Sequence, residues 1–278
     1  MKALHQLKEN MQQSLACAGI DPDPRKIKGA DGNNGETVIF DYLTSYIDQV
    51  APHICGFKAQ KAFFDLHAGG HELLKETVQY VRKKHPTLPV ILDCKIGDID
   101  NTMSCYITNI FGHLNCDGVL VNPYMGDDVF KEMTEYPDKI IVVLIKTSNT
   151  GGAVIQDQAL ANGDPLWMHI LDLAMTRWNK AKNIVPVLSA VDDRNLLVRA
   201  RAIIPQDTPI LFAGVGAQGR DESAICYLLN QDKSGVFVNS SRALMYPELA
   251  QGQTLAQAQA CAAIDLRKKL EALRHGQC

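Results

Sequence analysis

No strong charge of either sign marks this chain: 28 basic against 31 acidic side chains leave a net charge of −3. No segment forms a basic tail or stripe, so the electrostatic footprint of a nucleic-acid binder is missing. None of the eight cysteines stands at C-x-x-C spacing, which removes the ligand framework of a structural zinc site. Several, such as Cys17 in LACAGI and Cys55 in HICGF, lie inside apolar runs and read as small hydrophobes in a reducing compartment. No apolar run approaches the length of a membrane span. The opening MKALHQLKENMQQSL is too polar for a signal peptide, and a cytoplasmic protein is expected.

What is present is alternation. Short, almost continuously apolar runs cover 15–20, 53–58, 90–95, 118–122, 140–146, 184–189, 210–214 and 235–239, as suits parallel strands buried on both faces. Amphipathic stretches lie between and after them, at 36–50, 71–84, 101–114, 127–136, 165–181, 194–204, 222–230 and 254–274. Eight β-then-α repeats without a composition break predict a (β/α)8 TIM barrel formed as a single domain over 1–278. Periodicity does not report closure, so an open doubly wound sheet stays as the alternative. Loops 23–35 and 148–164, after the first and fifth strands, are longer than the rest and read either as lids or as surface padding.

Charged residues stand where a barrel strand should be apolar. The third run, VILDCKIGDIDNT, ends in Asp93 and Lys95, which a regular strand places on one face, with Asp98 three residues further on. Lys58 ends the second run and Asp21 the first. On neighbouring strands, Lys58, Asp93, Lys95 and Asp98 are expected to form an alternating network with Asp21 at its edge. Such a network either seals the barrel top or performs chemistry. Buried ion pairs contribute little net stability, which favours chemistry. The loops after strands seven and eight, FAGVGAQG and VNSSR, bring glycines, Gln218, Ser241 and Arg242 to the place where this fold commonly binds phosphate. Arg242 is suited to bidentate phosphate contact. Asp65, His67 and His71 read as the exposed start of a helix rather than a metal site, Asp192-Asp193 as a helix cap, and Trp167 and Trp178 as core or subunit surface.

With these residues in view, the chain resembles the orotidine 5′-monophosphate decarboxylases, in their longer bacterial-type branch. The family's D-x-K-x-x-D-I signature matches Asp93, Lys95, Asp98 and Ile99; its strand-two lysine, Lys58; its K-T-S-N segment, Lys146 to Asn149; its G-A-Q-G lid, Gly216 to Gly219; and its phosphate arginine, Arg242. Two departures stand out. Ala59 occupies a position that is often proline, and the sixth strand ends Leu188-Ser-Ala-Val-Asp-Asp193 instead of in a Val-Gly-Ala segment.

The resemblance implies conversion of orotidine 5′-monophosphate to uridine 5′-monophosphate without cofactor or metal. Lys58, Asp93, Lys95 and Asp98 would be catalytic. Asp21, Ile99, Thr102, Ser148, Gln218, Ser241 and Arg242 would bind substrate. It also implies a homodimer in which Asp98 and Thr102 enter the partner's site. Alternatives are the Mg²⁺-dependent sugar-phosphate enzymes of the same superfamily, 3-keto-gulonate 6-phosphate decarboxylase and hexulose 6-phosphate synthase, and a non-catalytic nucleotide-binding barrel. Lys58 weighs against the former, since a cation at that position disfavours a nearby divalent metal.

Overall fold

Wherever the sequence runs apolar without alternation, the backbone is a strand with both faces covered. The structure, a computed structural model, describes residues 3–32, 34–214 and 221–276. Its strands are β1 (Ala16–Ile20), β2 (Gly56–Gln60), β3 (Val90–Ile96), β4 (Gly118–Val121), β5 (Ile140–Leu144), β6 (Ile184–Ser189), β7 (Ile210–Ala213) and β8 (Val236–Ser240). Every neighbouring pair is parallel, in consecutive order, and β8 pairs back onto β1 through Cys17–Asn239 and Ala18–Ser240. That last ladder closes the barrel and removes the open-sheet alternative.

Around the barrel lie α1 (Ala3–Met11), α2 (Gly35–Val50), α3 (Gly70–Lys84), α4 (Asp100–Ile107), α5 (Leu166–Thr176), α6 (Arg194–Ile203), α7 (Arg242–Met245) and α8 (Leu255–Arg274), with shorter turns between them. Helix α1 buries Leu7 and Met11, and its Asn10 donates to the carbonyls of Cys55 and Thr87, just before β2 and β3. It thus lies against the N-terminal ends of the strands and leaves the C-terminal ends open. Two caps set helix starts from sequence. The Asp193 carboxylate accepts from the Asn195 amide at α6 (3.0 Å), and Thr254 with Gln257 forms a capping box at α8.

Three predicted helices come out differently. Residues 127–136 form one α-turn (Asp128–Lys131) and a 3₁₀ turn (Glu132–Glu135), because Pro137 disfavours helical geometry at Tyr136. Residues 222–230 form a 3₁₀ helix only to Tyr227; Asn230 instead ties the following turn, accepting from the Ser234 amide. The stretch 101–114 begins as α4 and continues as a π-helical turn, Thr108–His113. The cysteines divide: Cys17, Cys55 and Cys116 are buried free thiols, as read from sequence, whereas Cys226 is disulfide-bonded. Trp167 and Trp178 are both core residues, and Asp65 pairs with Lys61.

Candidate active site

The open end of the barrel holds a cavity of about 360 Å³. Into it project Asp21 after β1, Lys58 and Gln60 from β2, and Asp93 and Lys95 from β3. Strand register brings the first four together: Gly19 pairs with Lys58 and Gln60 with Asp93.

Asp93 is the centre of the charge arrangement. One carboxylate oxygen, Oδ2, takes the Lys58 ammonium at 2.7 Å and the Gln60 amide at 3.1 Å; the other, Oδ1, takes the Lys95 ammonium at 2.6 Å. Asp93 and Lys58 are buried, at 4% and 7% exposure, while nearly half of the Lys95 side chain remains accessible. Burial opposes ionisation of Asp93, but the two lysines outweigh it and hold its pKa below the usual carboxylate range. Burial likewise opposes the Lys58 charge, and the Asp93 and Asp21 carboxylates more than offset it, holding its pKa above the ordinary lysine value. Asp21 goes the other way: desolvation dominates over the attraction of Lys58 and raises its pKa.

Lys95 reaches its place by a departure from regular strand geometry. Asp93 pairs with Leu120 and Ile96 with Val121, so β3 advances three residues while β4 advances one. Within this bulge Lys95 adopts a left-handed backbone (φ +47°), costly for a residue with a side chain. Strain of this kind collects at functional sites. Asp93 and Lys95 do share the cavity, as their spacing predicted, but through a bulge rather than by simple alternation.

Asp98 does not join the network within one chain. It is half-buried, its Oδ1 accepts from the Ile99 amide at 2.8 Å, and neither it, Ile99 nor Thr102 lines the cavity. The backbone at Ile99 is extended, and α4 begins at the next residue.

The far wall comes from the later strands. Thr147, Ser148 and Asn149 line the cavity after β5. Lys146, the first residue of the same motif, does not: it is buried and paired with Asp157 at 2.5 Å. That pair, with the Thr147 amide donating to Gln156 at 3.0 Å, anchors the long fifth loop. Its middle folds into a 3₁₀ turn (Thr150–Gly152) and a helical turn (Ala153–Gln156). The unusual sixth-strand end has a part here too, since the buried Ser189 hydroxyl donates to the Thr147 carbonyl at 3.0 Å.

Asn239 near the end of β8, and Ser241 and Arg242 after it, complete the rim, with Arg242 exposed at the first residue of α7. Ser241 sits directly against Gly19, where an added Cβ would lie 1.9 Å from its hydroxyl oxygen. Only glycine permits that approach. Gln218 lies outside the described residues. Gln60 and Asn239 were not singled out from sequence. Gln60 has a signal in hindsight, two residues beyond Lys58 on the same strand face; the second strand runs to 60 rather than ending at 58.

Residues 15–246 match the family described as orotidine 5′-phosphate decarboxylase / HUMPS. An orotidine 5′-phosphate decarboxylase of Cupriavidus necator is 35% identical over 268 residues, covering 95% of this chain and 94% of the relative. One from Dechloromonas aromatica is 37% identical over 238 residues, covering 84% and 85%. Among solved structures, Leishmania donovani OMP decarboxylase superposes with a TM-score of 0.84 at 30% identity, covering 99% of this chain and all of that one. A Leishmania donovani UMP synthase gives 0.83 at 32% identity over 98% of this chain and 56% of its own. On the extent of these matches and on the barrel they share, the chain belongs to the orotidine 5′-phosphate decarboxylase / HUMPS family.

Proposed function

We propose that this chain decarboxylates orotidine 5′-monophosphate to uridine 5′-monophosphate, as a cytoplasmic enzyme of pyrimidine nucleotide synthesis that uses neither metal nor cofactor. The observation that carries this is the Asp93 carboxylate held between two ammonium groups at the open end of the barrel, facing a cavity rimmed by Arg242. Breaking the C6–carboxylate bond leaves an electron pair in an sp² orbital that the pyrimidine ring does not delocalise. Fixed charge must therefore stabilise it. The Lys95 ammonium supplies that charge and then gives a proton to C6, forming the new C–H bond as CO₂ departs. Half-exposed, it regains a proton from solvent. Asp93 keeps the ammonium oriented and lies beside the departing carboxylate. Lys58 and Asp21 hold the ribose, Ser148 reads the pyrimidine edge, and Arg242, Ser241 and Gln218 bind the phosphate.

The reading includes one catalytic unit over the whole chain and a homodimer, in which Asp98, Ile99 and Thr102 serve the partner's site. Support comes from exposed apolar side chains on the segments following β3, β4 and β5: Ile99, Tyr106, Tyr124, Met125, Val154 and Ile155. Isolated apolar residues are ordinary on a surface, but six on three successive strand ends point to a covered face. Sedimentation at micromolar concentration tests it; a monomer that is fully active removes the shared site. The magnesium-dependent alternative is disfavoured by the donor set, since both Asp93 oxygens already accept from lysine ammonium groups.

The direct test is the absorbance change when orotidine 5′-monophosphate is added to EDTA-treated protein, beside Lys95→Ala. Turnover by the unaltered chain alone is expected. Lys95→Ala should abolish turnover while leaving the circular dichroism spectrum unchanged, and a variant retaining even a few per cent of activity removes Lys95 from the assigned role.

A further inference from the structure

Thr147, the residue before Ser148 in the cavity wall, is held at every polar atom it has. Its amide donates to Gln156 Oε1 at 3.0 Å, and the Gln156 side-chain NH₂ donates back to the Thr147 hydroxyl at 2.8 Å. That hydroxyl has a single proton, and Asn149 Oδ1 at 2.7 Å is its nearer acceptor. The Thr147 carbonyl accepts from the fully buried Ser189 hydroxyl at 3.0 Å. The peptide link is planar, so a held Thr147 carbonyl also fixes the direction of the Ser148 amide in the same plane. The clamp is itself anchored. Asp157, next to Gln156, pairs with buried Lys146, and the Lys146 amide donates to the Val187 carbonyl on β6 at 3.0 Å. Gly152 leaves room for it, since a Cβ there would lie 2.8 Å from the Thr147 hydroxyl and 3.1 Å from Gln156 Oε1.

We infer that Gln156 and Ser189 are positioning residues for recognition of the substrate's base. Neither lines the cavity; they act through Thr147, which sets where Ser148 stands. This rests on the proposed role of Ser148 and adds to it what holds that residue in place. Groups that contact a ligand bind well only when the residues behind them are locked. Ser189 belongs to the strand end that departs from the family's Val-Gly-Ala pattern, a segment with no hydroxyl. In this chain that departure supplies one half of the clamp.

The test uses the full chain and measures inhibition constants of UMP and of ribose 5-phosphate, which lacks the base, against turnover of orotidine 5′-monophosphate. The variants are Gln156→Met, which keeps the bulk of the side chain, and Ser189→Ala. Gln156→Met should weaken UMP by roughly tenfold and Ser189→Ala by about threefold, with KM rising in parallel. Ribose 5-phosphate should bind both variants as it binds the unaltered chain. Equal losses for the two ligands, or no loss for UMP, overturn the inference while the decarboxylation reading stands. Failure of the unaltered chain to turn over orotidine 5′-monophosphate overturns both. The two variants lie on separate elements, and thermal unfolding of each separates a binding loss from a folding one.

Discussion

Replacing Lys58 by methionine separates the charge of the ammonium from the bulk of its stem. The side chain is 7% exposed and its partner Asp93 is 4% exposed, so the variant leaves a buried carboxylate short of its innermost cation. Breaking a buried pair this way costs about 3–5 kcal/mol. Asp93 keeps Lys95 at 2.6 Å and Gln60 at 3.1 Å, which places the expected loss at the lower end, about 3 kcal/mol. For a chain of this length that lowers Tm by roughly 6–9 °C near neutral pH.

The pH dependence has a definite sign. In the unaltered protein Asp93 titrates below its ordinary value of 3.8, so its pairing stabilises the fold above that value and the contribution fades as pH falls through the lowered pKa. In Lys58→Met, burial is opposed by Lys95 alone and the Asp93 pKa rises. The Tm deficit of the variant should therefore narrow between pH 7 and pH 4. Adding Asp93→Asn to Lys58→Met should recover part of the lost stability, because the stranded charge is gone. Thermal unfolding of the single and double variants by circular dichroism at both pH values decides it. A deficit independent of pH, with single effects that simply add in the double variant, would show that lost packing and not an orphaned charge sets the stability.

Asp21→Asn should behave in the opposite sense. Burial raises the Asp21 pKa, so its ionised form opposes folding above pH 3.8, increasingly as pH rises through the native value. The variant should gain about 1 kcal/mol near neutral pH while losing substrate affinity, read as a higher Tm with a higher KM. Gly19→Ala should lose about 1–3 kcal/mol, since its Cβ would meet both the Ser241 hydroxyl and the Ser241 Cβ, at 2.7 Å, and should raise KM as Ser241 shifts; an unchanged Tm refutes the close packing described here. Arg242→Ala, at an exposed position, should leave Tm within experimental error and raise KM strongly. If turnover of the nucleotide and of the dephosphorylated nucleoside still differ as before, Arg242 is not the phosphate contact.

The barrel was legible in the chain because buried parallel strands need apolar residues on both faces, and eight such runs alternate with amphipathic ones. The charged strand ends were legible for the converse reason: Asp93 and Lys58 are too costly at such positions to be incidental. Three things were hidden. The left-handed backbone at Lys95 has no sequence signal, since no glycine or asparagine announces it. Gln60 was lost to a strand end placed two residues early. Asn239 reads as an ordinary strand-end polar residue until it is found in the cavity wall. Asp98 was expected beside Lys95 on spacing alone, but its carboxylate accepts from the Ile99 amide and does not line the cavity.

The bulge in β3 has a bearing on how such a site changes over time. The ladder to β4 is carried by 91–93 and resumes at Ile96, so residues 94 and 95 bear no share of the register that closes the eight strands. In the proposed mechanism Lys95 is a reagent mounted on a side loop, while its carboxylate partner, Asp93, belongs to the sheet itself. A different side chain at 95 alters what the cavity does to its substrate without asking the barrel to realign. Divergence of chemistry on this scaffold then requires point substitutions at the bulge rather than a new arrangement of strands.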